Sequence, residues 1–254
     1  MKLFVTSDIH SYYNEFHKAL DEAGFDPANP EHMLIVCGDC WDRGAQPKEV
    51  MDYLMNLDRC VLVKGNHEDL FEKLCRKAYP DSYDNSNGTL GTIIDLVKPT
   101  KHMAFINACI EAERIAKPFL DKMVNYYETK NYIFVHSFVP LKTLDDMPRH
   151  YTKGKVYEKM ENWREAHNKD WEEARWGNPF QLALNGFLPD KCLVFGHWHT
   201  SWPRHHYTWS DEAEPEWGED ADFSPYYGNG YIGIDACTAY SGKVNVLVLE
   251  DDLL

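Results

Sequence analysis

Basic residues are in short supply. Lys and Arg number 26 against 41 Asp and Glu, which leaves a formal charge of −15 at pH 7. A field of that sign repels nucleic-acid backbones and anionic lipid, so neither is an expected partner. It does not exclude a phosphate-bearing substrate, because bound cations reverse the sign locally. Long apolar runs are also lacking. No stretch approaches the roughly 18 apolar residues of a membrane span. The amino-terminal run of Leu3, Phe4 and Val5 is too short for the apolar region of a secretory leader. The 7 cysteines form no disulfide framework, so a reducing, cytoplasmic setting is the expectation. Cys37-Gly38-Asp39-Cys40 is a CxxC with no second copy, and it reads as two unpaired thiols at a strand end.

What is present is ordinary for a globular α/β chain: 254 residues, 44% hydrophobic and 26% charged. Such a length buries about three quarters of its unfolded surface. The first 68 residues alternate. Residues 2–7, 33–37 and 61–63 read as buried strands, because they are apolar on both faces. Between them, Phe16, Ala19, Leu20 and Ala23 recur at helical spacing before Gly24, and Pro47 opens a second helical pattern. Residues 70–130 read as mainly helical, with a Gly/Ser/Asn-rich break at 84–91. Residues 132–135 and 192–195 read as further strands. Residues 158–175 read as helical, and 202–229 as an acidic, aromatic loop or lid. Residues 231–236 and 243–249 look like a final strand pair joined near Ser241-Gly242.

Each strand in this reading runs into a polar cluster. They are Asp8-x-His10, Gly38-Asp39-x-x-Asp42-Arg43-Gly44, Gly65-Asn66-His67-Glu68, His136, and Gly196-His197-x-His199. In open α/β sheets, ligands bind beyond the carboxyl ends of strands. Carboxylates, imidazoles and one amide suit first-row divalent metals with N and O ligands. Each cluster alone has a plain reading. Asn66 could cap a helix with Glu68 in its first turn, Arg43 could pair with Asp42, and two histidines could lie in solvent. Five clusters in order, each past a strand, argue for one metal centre. His205-His206 could be a further metal contact or a solvated pair. Trp163, Trp171 and Trp176 read as packing residues.

This ordered series resembles the calcineurin-like metallophosphoesterase superfamily. The Asp-Arg-Gly after Asp39 and the unbroken Gly-Asn-His-Glu look like its phosphoprotein phosphatase branch, which includes bacterial diadenosine tetraphosphatases. The segment IGIDACTAYSGKVNVLVLE is similar to the closing strands of those bacterial members. The resemblance implies a four-layer α/β/β/α sandwich, and the chain reads as a single domain over residues 1–254, with a helical insertion at about 70–130 and an acidic lid-like one at about 201–230. It implies two divalent transition-metal ions, manganese first, with iron, zinc, cobalt or nickel also compatible. Asp8, His10 and His199 would hold the first ion, Asn66, His136 and His197 the second, and Asp39 both. Arg43 would grip phosphoryl oxygens, and Arg175 is either a second phosphate-binding arginine or a plain helix-end arginine. The first motif reads SDIHS where that branch usually shows GDIHG; the ligand types survive.

His67 follows Asn66 directly and is placed to protonate a leaving oxygen, oriented by Asp42. The expected reaction is in-line attack on a phosphate monoester by a hydroxide between the ions, with a phosphorylated protein or a small phosphate ester as substrate. A dinucleoside polyphosphate hydrolase or phosphodiesterase uses the same chemistry. A metal-binding module without turnover is the reading from another class, and the intact ligand set with His67 and Arg43 argues against it. The acidic insertion (Asp211, Glu212, Glu214, Glu216, Glu219, Asp220 and Asp222) is either a solvated loop or a rim that disfavours polyanionic substrates.

Overall fold

Leu3 and Val5 leave the first strand on one face and Phe4 on the other, and all three are fully buried. A strand buried on both faces needs a layer on each side. The computed structural model, which describes residues 1–143, 157–207 and 213–253, supplies them. Strands β1 (Lys2–Thr6), β2 (His32–Cys37) and β3 (Cys60–Val63) are parallel, and β1 and β2 are each followed by a helix, α1 (Tyr13–Ala23) or α2 (Pro47–Met55). Phe16 and Leu20 bury the inner face of α1, and Gly24 ends it at φ +78°, a left-handed conformation that costs glycine little. Four helices follow: α3 (Asn66–Lys77), α4 (Ser82–Asn87), α5 (Thr89–Val97) and α6 (Phe105–Leu120).

The second half builds another sheet from β4 (Tyr127–Glu128) and β5 (Tyr132–Phe134), with a small hairpin of β6 (Leu141–Thr143) and β7 (Tyr157–Lys159) beyond them. A 3-10 turn at Trp163–Glu165, α7 (Asn168–Ala174) and α8 (Pro179–Leu184) lead to β8 (Cys192–Phe195) and α9 (Ser201–His206). The chain closes with β9 (Tyr226–Gly228), β10 (Tyr231–Gly233), α10 (Thr238–Ser241) and β11 (Leu247–Glu250). The sheet orders are β11-β1-β2-β3 and β4-β5-β8-β10-β9.

The two sheets face each other through Leu3, Val5, Ile35 and Cys37 on one side and Phe134, Val194, Ile232 and Ile234 on the other. Phe4, Leu34 and Val36 pack outward against α1, α2, α3, α5 and α6. Ile133, Leu193 and Phe195 pack outward with Trp163, Trp171 and Phe180. The result is the expected α/β/β/α sandwich.

Five expectations need correction. Residues 84–91 are mostly helical. Asp81 caps α4 by accepting from the Tyr83 and Asp84 amides, and only Gly88, at φ +89°, interrupts the run. Residues 158–175 hold a strand end, a 3-10 turn and one short helix rather than a continuous helix. Residues 202–229 include α9 and β9 as well as loop. The final strands are not partners: β10 lies in the second sheet, while β11 crosses back to pair antiparallel with β1. Two of the three tryptophans are core, but Trp176 is 40% exposed.

That return is pinned at Asp251, just past β11. Its carboxylate accepts from Thr129 Oγ1 at 2.6 Å and from the Asn131 amide at 2.9 Å, both on the second sheet's β4–β5 turn. Asp251→Ala leaves a buried hydroxyl without its acceptor and should cost about 1–3 kcal/mol. Urea unfolding checks this, and an unchanged midpoint contradicts the role of Asp251 as a tie between the sheets.

Candidate metal centre

Six parallel strand ends, three from each sheet, open onto one place. Asp8 and His10 follow β1, Asp39, Asp42 and Arg43 follow β2, and Asn66 and His67 follow β3. His136 follows β5, His197 follows β8, and Asp235 follows β10. The loops continue the ladders as paired turns. The Asp8 amide donates to Gly38 O at 3.1 Å, the His10 amide to Asp39 O at 3.0 Å, and the Gly196 amide to His136 O at 2.8 Å. Asp8, His10, Asp39, Asp42, Arg43 and His197 all have φ between +50° and +72°. L residues avoid that region, and such strain collects where the surrounding structure forces a side chain to a particular point. Gly38, at φ +84°, has no room for a Cβ, which would stand 2.5 Å from His136 Nδ1 and 2.7 Å from Gly65 Cα.

The side chains converge on Asp39. Its Oδ2 is 3.8 Å from both His10 Nε2 and His67 Nε2, and its Oδ1 is 3.4 Å from His136 Nε2. His136 Nε2 is also 2.7 Å from Asn66 Oδ1 and 3.2 Å from His197 Nδ1. Asp8 Oδ1 lies 3.9 Å from His10 Nε2. The backbone fixes the tautomers. His10 Nδ1 donates to Trp41 O and His136 Nδ1 donates to Cys37 O, each at 2.9 Å. Both Nε2 atoms therefore turn lone pairs inward, toward carboxylate and amide oxygens.

Burial pulls His10, His136 and His197 down, the last to about 3, so all three are neutral near pH 7. Burial, reinforced by Asp235 and Asp39, pushes Asp8 well up, and burial raises Asp235 to about 6. Burial also opposes ionisation of Asp39, but the imidazoles around it hold the carboxyl below its usual range. Among those imidazoles only His67 is held above its ordinary value: burial opposes its charge, and Asp39 and Asp42 overcome that. Three buried carboxyl groups and three neutral imidazoles thus share one space. This donor set fits divalent cations, and without a cation it is a costly arrangement. Two groups in this space could hold an ion: His10, Asp39 and His67 on one side of Asp39, and Asp39, His136 and His197 on the other.

His67 is braced. Its Nδ1 lies 2.7 Å from Asp42 Oδ2, and Arg43 Nη2 donates to its Nε2 at 3.3 Å. Asp42 in turn accepts from Thr89 Oγ1 at 2.7 Å and Thr92 Oγ1 at 2.6 Å, both on α5. Glu68 accepts from the Cys40, Gly65 and Asp39 amides at 2.8, 2.8 and 3.1 Å, locking the turn that presents Asp39. The cap reading of the third motif is therefore partly right, with Gly65 rather than Asn66 at the N-cap. Cys37 and Cys40 are buried, unpaired thiols.

Two expected site residues lie elsewhere. His199 Nδ1 is 2.8 Å from Ser201 Oγ, and its Nε2 is 3.5 Å from Glu216, so it faces the acidic segment rather than Asp8 and His10. Arg175 donates to Asp69 Oδ2 at 2.8 Å, Lys64 O at 3.1 Å and Asn125 Oδ1 at 2.5 Å. Its fork braces the β3–α3 junction and is not free for phosphate. Asp211 and Glu212 of the acidic insertion lie outside the described residues. Sequence reasoning missed Asp235, Thr89, Thr92 and Thr238, whose Oγ1 donates to Asp8 O at 2.7 Å. The Thr89/Thr92 spacing on one helix face was the available signal, hidden inside the supposed break.

The calcineurin-like phosphoesterase model matches residues 1–223. A symmetrical bis(5'-nucleosyl)-tetraphosphatase of Buchnera aphidicola is 38% identical over 69 residues, 27% of this chain and 24% of that protein. The same-named protein of Aeromonas hydrophila is 39% identical over 62 residues, 24% of this chain and 22% of that one. The chain thus spans about a quarter of the length of these curated relatives. The cold-active protein-tyrosine phosphatase of a psychrophilic Shewanella species shares the fold, with a TM-score of 0.52, 15% identity, and coverage of 98% of this chain and 75% of that one.

Gly38→Ala tests the geometry. The left-handed backbone and the collision with His136 together should cost at least about 2 kcal/mol, a fall of roughly 4–8 °C in Tm. An unchanged Tm contradicts the packing described.

Proposed function

We propose that this chain, which belongs to the calcineurin-like phosphoesterase family, hydrolyses phosphate monoesters with a pair of divalent metal ions. The ions would be held by Asp8, His10, Asp39, Asn66, His136 and His197, with Asp39 shared. The observation that carries the reading is the convergence of buried carboxyl, imidazole and amide side chains on Asp39, with the His67–Asp42 pair beside it. Bound there, the ions would acidify an attacking water and neutralise phosphoryl oxygen charge. Manganese is the first candidate among ions that accept N and O ligands.

His67 supplies the leaving-group proton. Asp42 fixes its Nδ1–H, so Nε2, the nitrogen that faces Asp39 and accepts from Arg43, is the one that carries the proton to be given once the imidazole is charged. Arg43 is exposed. When phosphate enters, its guanidinium turns from Nε2 to the phosphoryl oxygens, which freezes the substrate and frees Nε2 as donor. Thr89 and Thr92 hold Asp42 and act through it as positioning residues.

The preferred substrate is a monoester on a neutral or basic carrier, as in a Ser/Thr phosphoprotein. Glu219 and Asp220 stand exposed in the acidic segment, which packs on His199 through Trp217 with ring centroids 4.5 Å apart. That charge opposes a polyanion more than a phosphopeptide with flanking Lys or Arg. The match to the tetraphosphatases favours a second reading, hydrolysis of a dinucleoside polyphosphate.

A panel of p-nitrophenyl phosphate, its bis ester, a basic phosphopeptide and a dinucleoside tetraphosphate separates these readings. The expected result is monoester hydrolysis abolished by chelation, with the phosphopeptide ahead of the dinucleotide in kcat/KM. Activity that survives complete metal removal contradicts the mechanism, and a dinucleotide preference moves the assignment to the second reading.

His67→Asn should lower kcat roughly 10²–10⁴-fold. The loss should be smaller for an aryl ester, whose leaving group needs little protonation. Equal losses for aryl and alkyl esters contradict the general-acid role.

A further inference from the structure

A second group of ligand-type side chains lies outside the residues assigned above. His205 and His206 come from the last turn of α9, and Glu216 comes from the acidic segment that follows. Each offers one ligand atom, and these atoms lie within 4.8 Å of one another. The group is built in place. Ser201 Oγ donates to the Glu216 carbonyl at 2.8 Å, holding the segment against the helix. His205 Nδ1 donates to the Glu214 carbonyl at 2.9 Å, which leaves its other nitrogen with a lone pair. His206 Nε2 stands 3.2 Å from Glu216 Oε2, and its ring lies 4.6 Å from that of Trp202. The other carboxylate oxygen, Oε1, is 3.5 Å from His199 Nε2. A plain ion pair between His206 and Glu216 needs neither His205 nor the backbone carbonyl that orients it, and an exposed pair of that kind is worth little.

We propose that His205, His206 and Glu216 form a peripheral divalent-metal site separate from the Asp39 centre. Two imidazoles and one carboxylate suit a borderline ion such as Zn²⁺, Co²⁺, Ni²⁺ or Cu²⁺, with water completing the shell. The ion clips the acidic segment to α9. Through that clip it fixes Trp217, whose ring lies 4.5 Å from His199 and 5.1 Å from Tyr240.

The test counts ions on tag-free, full-length protein. Zn²⁺ is titrated calorimetrically and then measured by elemental analysis after dialysis. The unmodified protein should bind one ion more than the His205→Ala/His206→Ala double variant, with a Kd for that ion tighter than roughly 10 μM. Glu216→Gln, close to the native shape, should weaken the same ion at least tenfold. Asp39→Asn should disturb binding at its own centre and leave this ion in place, so failure of one assignment is distinguishable from failure of the other. Circular dichroism confirms that each variant folds. Equal stoichiometry in the double variant and the unmodified protein overturns the proposal, as does an extra ion held more weakly than roughly 10 μM.

Discussion

The Asp39 carboxylate stands between two sets of imidazoles, and the rest of the structure serves to keep it there. Its Oδ2 faces His10 and His67, and its Oδ1 faces His136. Asp8 and Asp235 crowd the same space from the first and second sheets. Buried acceptors facing acceptors carry a desolvation cost that their own hydrogen bonds do not remove. The chain meets that cost with two sheets whose six parallel strands all end at the same edge, and with turns forced into left-handed conformations. Glu68 illustrates the investment: a buried carboxylate, pushed up to about 7 by burial and by Asp39, is spent on three backbone amides of the turns around Asp39.

A similar economy links the helical insertion to the chemistry. Helix α5 packs against α6 and α3 in the outer layer, and its Thr89 and Thr92 reach Asp42, which holds His67. Gly88, just before it, lets the backbone pass against Arg43, where a Cβ would collide with the Arg43 amide. The insertion is thus part of the scaffold of the site, and a helix-packing change there reaches His67 through two contacts.

Much of this was legible in the sequence because strand ends and ligand motifs reinforce each other. The apolar runs before Asp8, Asp39 and Asn66 gave strand and turn together, and Gly24 and Pro47 marked real helix boundaries. Pairing was not legible. The run over 243–249 has the same apolar pattern whether it meets β10 or β1, and only the sandwich decides. Asp235 was hidden because a lone acid after a strand resembles any turn residue. His199 and Arg175 were misplaced for a common reason: a motif fixes residue types, while a neighbour fixes direction. Glu216 and Ser201 draw His199 one way, and Asp69 and Asn125 draw Arg175 another.

The claim that Asp39 lies between two ions is tested most directly by anomalous diffraction from crystals grown with Mn²⁺. The account predicts two peaks flanking the Asp39 carboxylate, roughly 3.5–4 Å apart, one beside Asp8 and His10 and the other beside Asn66, His136 and His197. In Asp39→Asn crystals both peaks should weaken together. A single peak at full occupancy, or two peaks of which only one responds to the substitution, would contradict a shared carboxylate.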